Sequence, residues 1–135
     1  MSSESPTKSK ARKSFTEAKL LYEARNFNGA ANRAYYALYQ AITATFEEMK
    51  LDQAKLTSKV TADEAGKWLH ETVRNNPTLA GVDRKDSEIV RTAWSLRRKA
   101  DYRPDDVTEL ELMSVMVRIP RVLKSVGVDV YAPSN

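Results

Sequence analysis

The chain has 135 residues, 41% of them apolar, no cysteine and a formal charge of +4. That length supports one domain with a single core, and the missing cysteine excludes disulfides and thiolate metal sites and fits a reducing, cytoplasmic compartment. No apolar run approaches the roughly 18 residues of a membrane span and no signal-peptide core precedes the first charges, while most of the excess charge sits at the N-terminus, where Lys8, Lys10, Arg12 and Lys13 face only Glu4.

Residues 1–7 read as a disordered basic leader. Beyond it only four glycines occur, and apolar residues recur every three or four positions without alternation of period two. The expected fold is all-α, an up-and-down antiparallel bundle of about five helices. The first helix should cover about residues 8–24, with Ala11, Phe15, Ala18 and Tyr22 on one face, and stop at the polar turn 25–29. Asn28 is a suitable N-cap for the second helix, residues 29–50. Its stripe of Ala30, Ala31, Ala34, Ala37, Leu38, Ala41, Ile42 and Phe46 is dominated by small side chains that let neighbouring helices approach closely. This is the pattern of a central helix.

A third helix should begin at Thr61, where Thr61-Ala62-Asp63-Glu64 matches a capping box, and end near Asn76-Pro77, burying Ala65, Trp68, Leu69 and Val73. A fourth covers residues 86–102. The last starts within residues 105–108 and carries Leu112, Met116, Ile119, Leu123 and Val126, with a kink expected at Pro120. Residues 127–135 form a C-terminal tail.

Familiar enzyme signatures are missing. One histidine, His70, cannot build a His-rich metal site, no glycine-rich phosphate loop occurs, and no serine lies in a nucleophile elbow. No metal and no cofactor is expected. The acids Asp105, Asp106, Glu109 and Glu111 fall at a helix start, where carboxylates suit the macrodipole. His70 reads as a surface or packing residue.

The stretch Ser95-Leu96-Arg97-Arg98-Lys99-Ala100-Asp101-Tyr102-Arg103-Pro104 is different. Arg97 falls on or beside the apolar stripe of the fourth helix, with Asp101 one turn later and Trp94 able to stack on Arg98. Two readings stay open: a basic helix terminus pinned by Arg97 and Asp101, or a cationic patch with aromatics suited to phosphate and base.

Two segments resemble a known family. Asn28-Gly29-Ala30-Ala31-Asn32-Arg33-Ala34-Tyr35-Tyr36-Ala37 is similar to the NxAxxRAYYA signature of HEPN domains, and Arg97-Arg98-Lys99-Ala100-Asp101-Tyr102 resembles their RxxADY segment. The likeness spans about residues 8–126, which would then be a single HEPN-like helical domain. It implies a homodimer whose two Arg97 regions share a cleft, RNA or nucleotide as ligand, and a minimal nucleotidyltransferase as partner in a toxin–antitoxin or defence pair. Many members are metal-independent endoribonucleases in which arginine stabilises phosphorane charge and histidine moves protons. Here Tyr102 stands where that histidine is expected, and a phenol of ordinary pKa about 10 is a poor general base. The expectation is therefore binding with weak or no cleavage, carried by Arg97, Asp101 and Tyr102 as candidate catalytic residues. Arg33, Tyr36, Arg98, Lys99 and Arg103 are the candidate nucleotide contacts, with Gln40 on the Arg33 and Tyr36 face. The rival expectation is a noncatalytic helical module that docks another protein.

Overall fold

Ser5 and Pro6 start the first helix, α1 (Pro6–Glu23): the Ser5 hydroxyl accepts from the Lys8 amide at 3.2 Å and proline occupies the first turn, where its missing N–H costs nothing. The computed structural model describes residues 4–59 and 67–131. α1 thus begins two residues ahead of expectation, taking Pro6 and Thr7 from the expected leader, and Lys8, Lys10, Arg12 and Lys13 are helical as expected. Arg12 pairs with Glu4 at 2.6 Å, holding that carboxyl below its ordinary range, and Lys8 reaches Glu48 at 3.0 Å.

The second helix, α2 (Phe27–Glu48), is capped by Asn26, whose side chain accepts from the Gly29 amide at 2.9 Å. The expectation for Asn28 is corrected. Its amide instead clips a distant loop, accepting from the Val107 amide at 2.9 Å and donating to Asp106 Oδ1 at 3.0 Å. A Cβ on Gly29 would lie 2.9 Å from Asn26 Nδ2, so glycine keeps room for the cap.

α2 is the central helix. Its whole alanine stripe is buried together with Leu38, Ile42 and Phe46, and it packs against α1, α3 (His70–Asn75), α4 (Ser87–Tyr102), α5 (Glu109–Met116) and α6 (Ile119–Ser125). Small side chains permit that close approach, while each large buried side chain contributes about 1.5–3 kcal/mol. Pairing of Ser14 with Gln40 and of Lys8 with Glu48 makes α1 antiparallel to α2. Pairing of Asn32 with Asp101 and of Tyr36 with Arg97 does the same for α2 and α4. The fold is an all-α bundle, with no strand among the described residues.

The Thr61 capping box and Ala65 lie outside the described residues. Trp68 and Leu69 precede α3 and are not helical, while Val73 is buried within it. Gln53, in a 3-10 turn (Gln53–Lys55), clamps the approach to α3: its amide donates to the Lys67 carbonyl at 2.7 Å and accepts from the Leu69 amide at 2.9 Å. The last helix is bent by 31° into α5 and α6. Pro120 cannot donate to the preceding turn, and the Arg118 amide tightens onto the Val115 carbonyl at 3.0 Å. Thr108 and Glu111 form a full capping box at the start of α5. Val128, in the expected tail, is fully buried. Among the described residues no helix is long and apolar enough to cross a membrane.

Candidate functional site

Arg97 leaves α4 toward α2 and is enclosed by aromatic rings. Its guanidinium carbon lies 5.3 Å from the Trp94 ring centre and 5.6 Å from those of Tyr36 and Tyr102. Its Nε is 2.9 Å from Asp101 Oδ2, but the N–H does not line up with that oxygen and finds no other acceptor. The contact is charge pairing without a formed hydrogen bond. A terminal nitrogen donates to the Tyr36 hydroxyl at 3.3 Å, and no other hydrogen bond from Arg97 forms among the described residues. A guanidinium has five N–H donors. Arg97, with its side chain 13% exposed, therefore keeps most of its donor capacity while its charge has largely left water.

Around it the aromatic surface continues. Arg98 lies 5.7 Å from the Trp94 ring and 5.5 Å from that of Tyr102, itself 67% exposed. Exposed cation–π contacts contribute about 0.5–1 kcal/mol each, and more when desolvated.

Two residues that the sequence did not single out for this site arrive from α3. Arg74 stands 4.5 Å from the Trp94 ring, and His70 stacks on the same indole at 5.0 Å. His70 also lies 4.5 Å from the Tyr39 ring, and its Nδ1 is 2.6 Å from the Tyr35 hydroxyl. Burial, then the charges of Arg97 and Arg74, push the His70 pKa down, whereas burial raises that of Tyr35. Both groups are neutral near pH 7. Tyr35 is fully buried and its hydroxyl has no other partner among the described residues. The economical arrangement has Tyr35 donating to Nδ1, which places the imidazole proton on Nε2. His70 then offers a hydrogen-bond donor, not a base. The spacing of His70 and Arg74, four residues on one helix face, was the available signal.

A lowered histidine pKa has a definite consequence for stability. The folded state binds fewer protons than the unfolded chain once pH drops below about 6.5, so this contribution is present above that value and lost as pH falls through the window beneath it. His70→Gln should lose less melting temperature than wild type between pH 7.5 and 5. Parallel pH curves for the two proteins would refute the buried, neutral imidazole.

The other candidates are dispersed. Arg33 turns toward α1, with Nε 3.4 Å from Glu17, and Gln40 likewise faces Ser14 at 2.8 Å. Neither shares the Tyr36 side of α2. Lys99 is neutralised by Glu111 at 2.9 Å and Asp105 at 3.4 Å, and the Glu111 hydrogen bond holds its pKa up. Arg103 lies exposed just past the end of α4. Asp101 also accepts from Asn32 Nδ2 at 3.2 Å, so it serves to bridge α2 and α4. No family model, no curated protein and no solved structure matches this chain.

The site's chemistry favours anions. Arg74, Arg97 and Arg98 gather at one indole, and among the described residues only Arg97 has a carboxylate partner. Such cations repel one another, by about 2 kcal/mol for a pair ~8 Å apart at an effective dielectric of ~20. An arriving phosphate relieves that repulsion and supplies the missing acceptors. No group of three or more His, Asp or Glu placed to hold a metal ion occurs among the described residues.

Proposed function

We propose that this chain is a HEPN-type module that binds RNA or nucleotide phosphate at Arg97, with weak or no metal-independent ribonuclease activity. The observation that carries this reading is the under-satisfied, mostly buried Arg97 between Tyr36, Trp94 and Tyr102, with Arg98 beside it. Guanidinium donors fit phosphate oxygens, and exposed Tyr102 offers a face on which a base can stack. His70 as an N–H donor and Tyr102 as a phenol supply hydrogen bonds more readily than proton abstraction, which favours binding over cleavage. The toxin-like role, the nucleotidyltransferase partner, the homodimer and the cytoplasmic setting rest on the two motif resemblances.

The test is binding and cleavage of single-stranded RNA in chelator, wild type against Arg97→Ala. Binding that weakens as salt rises and collapses in the variant is expected. Equal RNA binding by both proteins would sink the reading.

A second reading has its own support. Leu110, Met113 and Val117 form an exposed apolar row on α5 and the turn after it, with Leu110 75% exposed. Such a row suits a protein-docking face. Under that reading Arg97→Ala lowers the melting temperature and leaves nucleic-acid binding unchanged.

A further inference from the structure

The charge at the Trp94 ring exceeds what an internal phosphodiester can match. Arg97 already has Asp101 at 2.9 Å. Among the described residues neither Arg74, on α3, nor Arg98, on α4, has a carboxylate within ion-pair distance, although Glu71 stands near enough to Arg74 to feel its charge; both arginines contact Trp94, and Arg98 contacts Tyr102 as well. Two guanidiniums without an ion-pair partner among the described residues therefore flank one indole. A phosphodiester brings one negative charge, whereas a terminal phosphate monoester, with a second pKa of about 6, brings nearly two near pH 7.5. Two guanidiniums from different helices also present donors from two directions, which a phosphate carrying three free oxygens can accept and a diester with two cannot match as fully.

We infer that Arg74 and Arg98 form a seat for a terminal phosphate, on a mononucleotide or an RNA end, with Trp94 as its floor and Arg97 alongside. His70 stacks on that indole and is held in place by Tyr35, so it sets the position of Trp94 and adds an N–H donor at the edge of the seat. Arg74 is the residue that makes the seat selective, because Arg97 and Arg98 alone come from consecutive positions on one helix. This inference rests on the phosphate-binding reading and narrows it to one phosphate class.

The experiment is calorimetric titration at pH 7.5 and low salt with 5′-AMP and with the dinucleotide ApA, whose only phosphate is an internal diester. A 5′-phosphorylated oligoribonucleotide and its 5′-hydroxyl twin form a second arm. Wild type should bind AMP about ten- to a hundredfold more tightly than ApA, as the loss of one or two charge-assisted hydrogen bonds implies. Arg74→Gln should remove most of that preference while thermal unfolding shows a folded protein; if it does not fold, Arg98→Gln carries the same expectation. The oligonucleotide arm identifies the source: a preference for the phosphorylated twin points to RNA ends, and a preference confined to AMP points to free nucleotides. Equal affinity for AMP and ApA, or a preference that survives in both variants, overturns the seat. If RNA still binds through Arg97 in that case, the broader function stands; if no probe binds, both fall together.

Discussion

Asp101→Asn should bind RNA more tightly than wild type while melting at a lower temperature. The aspartate is 29% exposed on its side chain and faces Arg97 at 2.9 Å, so its charge opposes an incoming phosphate while it steadies the helix end. Asparagine keeps the shape and removes the charge. Because that carboxylate is partly exposed, at an effective dielectric of ~50 relief of a like-charge interaction at ~6–7 Å is worth roughly 1 kcal/mol, or about fivefold in affinity. The lost ion pair is only partly buried, so its stability cost is discounted to about 1 kcal/mol, roughly 3–4 °C in Tm for a chain of this size. Arg97→Ala should move affinity the opposite way, by about thirty- to a hundredfold, because charge-assisted hydrogen bonds to phosphate disappear. The opposite signs are the test. Electrophoretic mobility shifts on one RNA and thermal melts of the three proteins are sufficient. If Asp101→Asn weakens binding in parallel with Arg97→Ala, the carboxylate positions the arginine or touches ligand, and the charge argument fails. If cleavage exists and vanishes in Asp101→Asn while binding improves, Asp101 belongs to the chemistry as the motif resemblance implies.

What could be read from the chain follows the range of the interactions involved. The alanine stripe of α2 and the limits of α4 are written in spacings of three and four, because burial on a helix is periodic. Arg97, Asp101 and Tyr102 came together for the same reason: they lie within five residues on one helix. Asn26 and Asn28 are chemically equal as caps, and only the tertiary pull of Asp106 and Val107 assigns Asn28 elsewhere. Lys99 looked available because Asp105 and Glu111, which neutralise it, come from beyond the end of α4. The spacing of His70 and Arg74 puts them on one helix face, but what carries that face to Trp94 is the hold of Gln53 on residues 67 and 69, which no local pattern shows. The two halves of the site thus differ in origin: α4 supplies its arginines by periodicity, and α3 supplies its contribution through a clamped, nonhelical approach.

That clamp ties stability to the site, and Phe46→Ala should expose the link. Phe46 is fully buried near the C-terminal end of α2, with its ring 4.9 Å from that of Trp68. Trp68 immediately precedes Leu69 and His70, and its carbonyl accepts from the Tyr39 hydroxyl. Truncating a buried phenylalanine costs about 3–5 kcal/mol, the transfer of the ring plus the cavity it leaves. For 135 residues that corresponds to a fall in Tm of roughly 10–18 °C. The packing also predicts a second effect in the protein that remains folded. With Trp68 unseated, His70 and Arg74 lose their fixed approach to Trp94, so binding of a terminal phosphate should weaken although the mutated ring lies in the core beneath that segment. Gln53→Ala separates the two effects, because it loosens the same segment at residues 67 and 69 without opening a large apolar cavity. It should cost less stability than Phe46→Ala yet weaken phosphate binding comparably. If both variants retain wild-type affinity at a temperature where they are fully folded, α3 reaches Trp94 without this support, and the coupling between core and site does not exist.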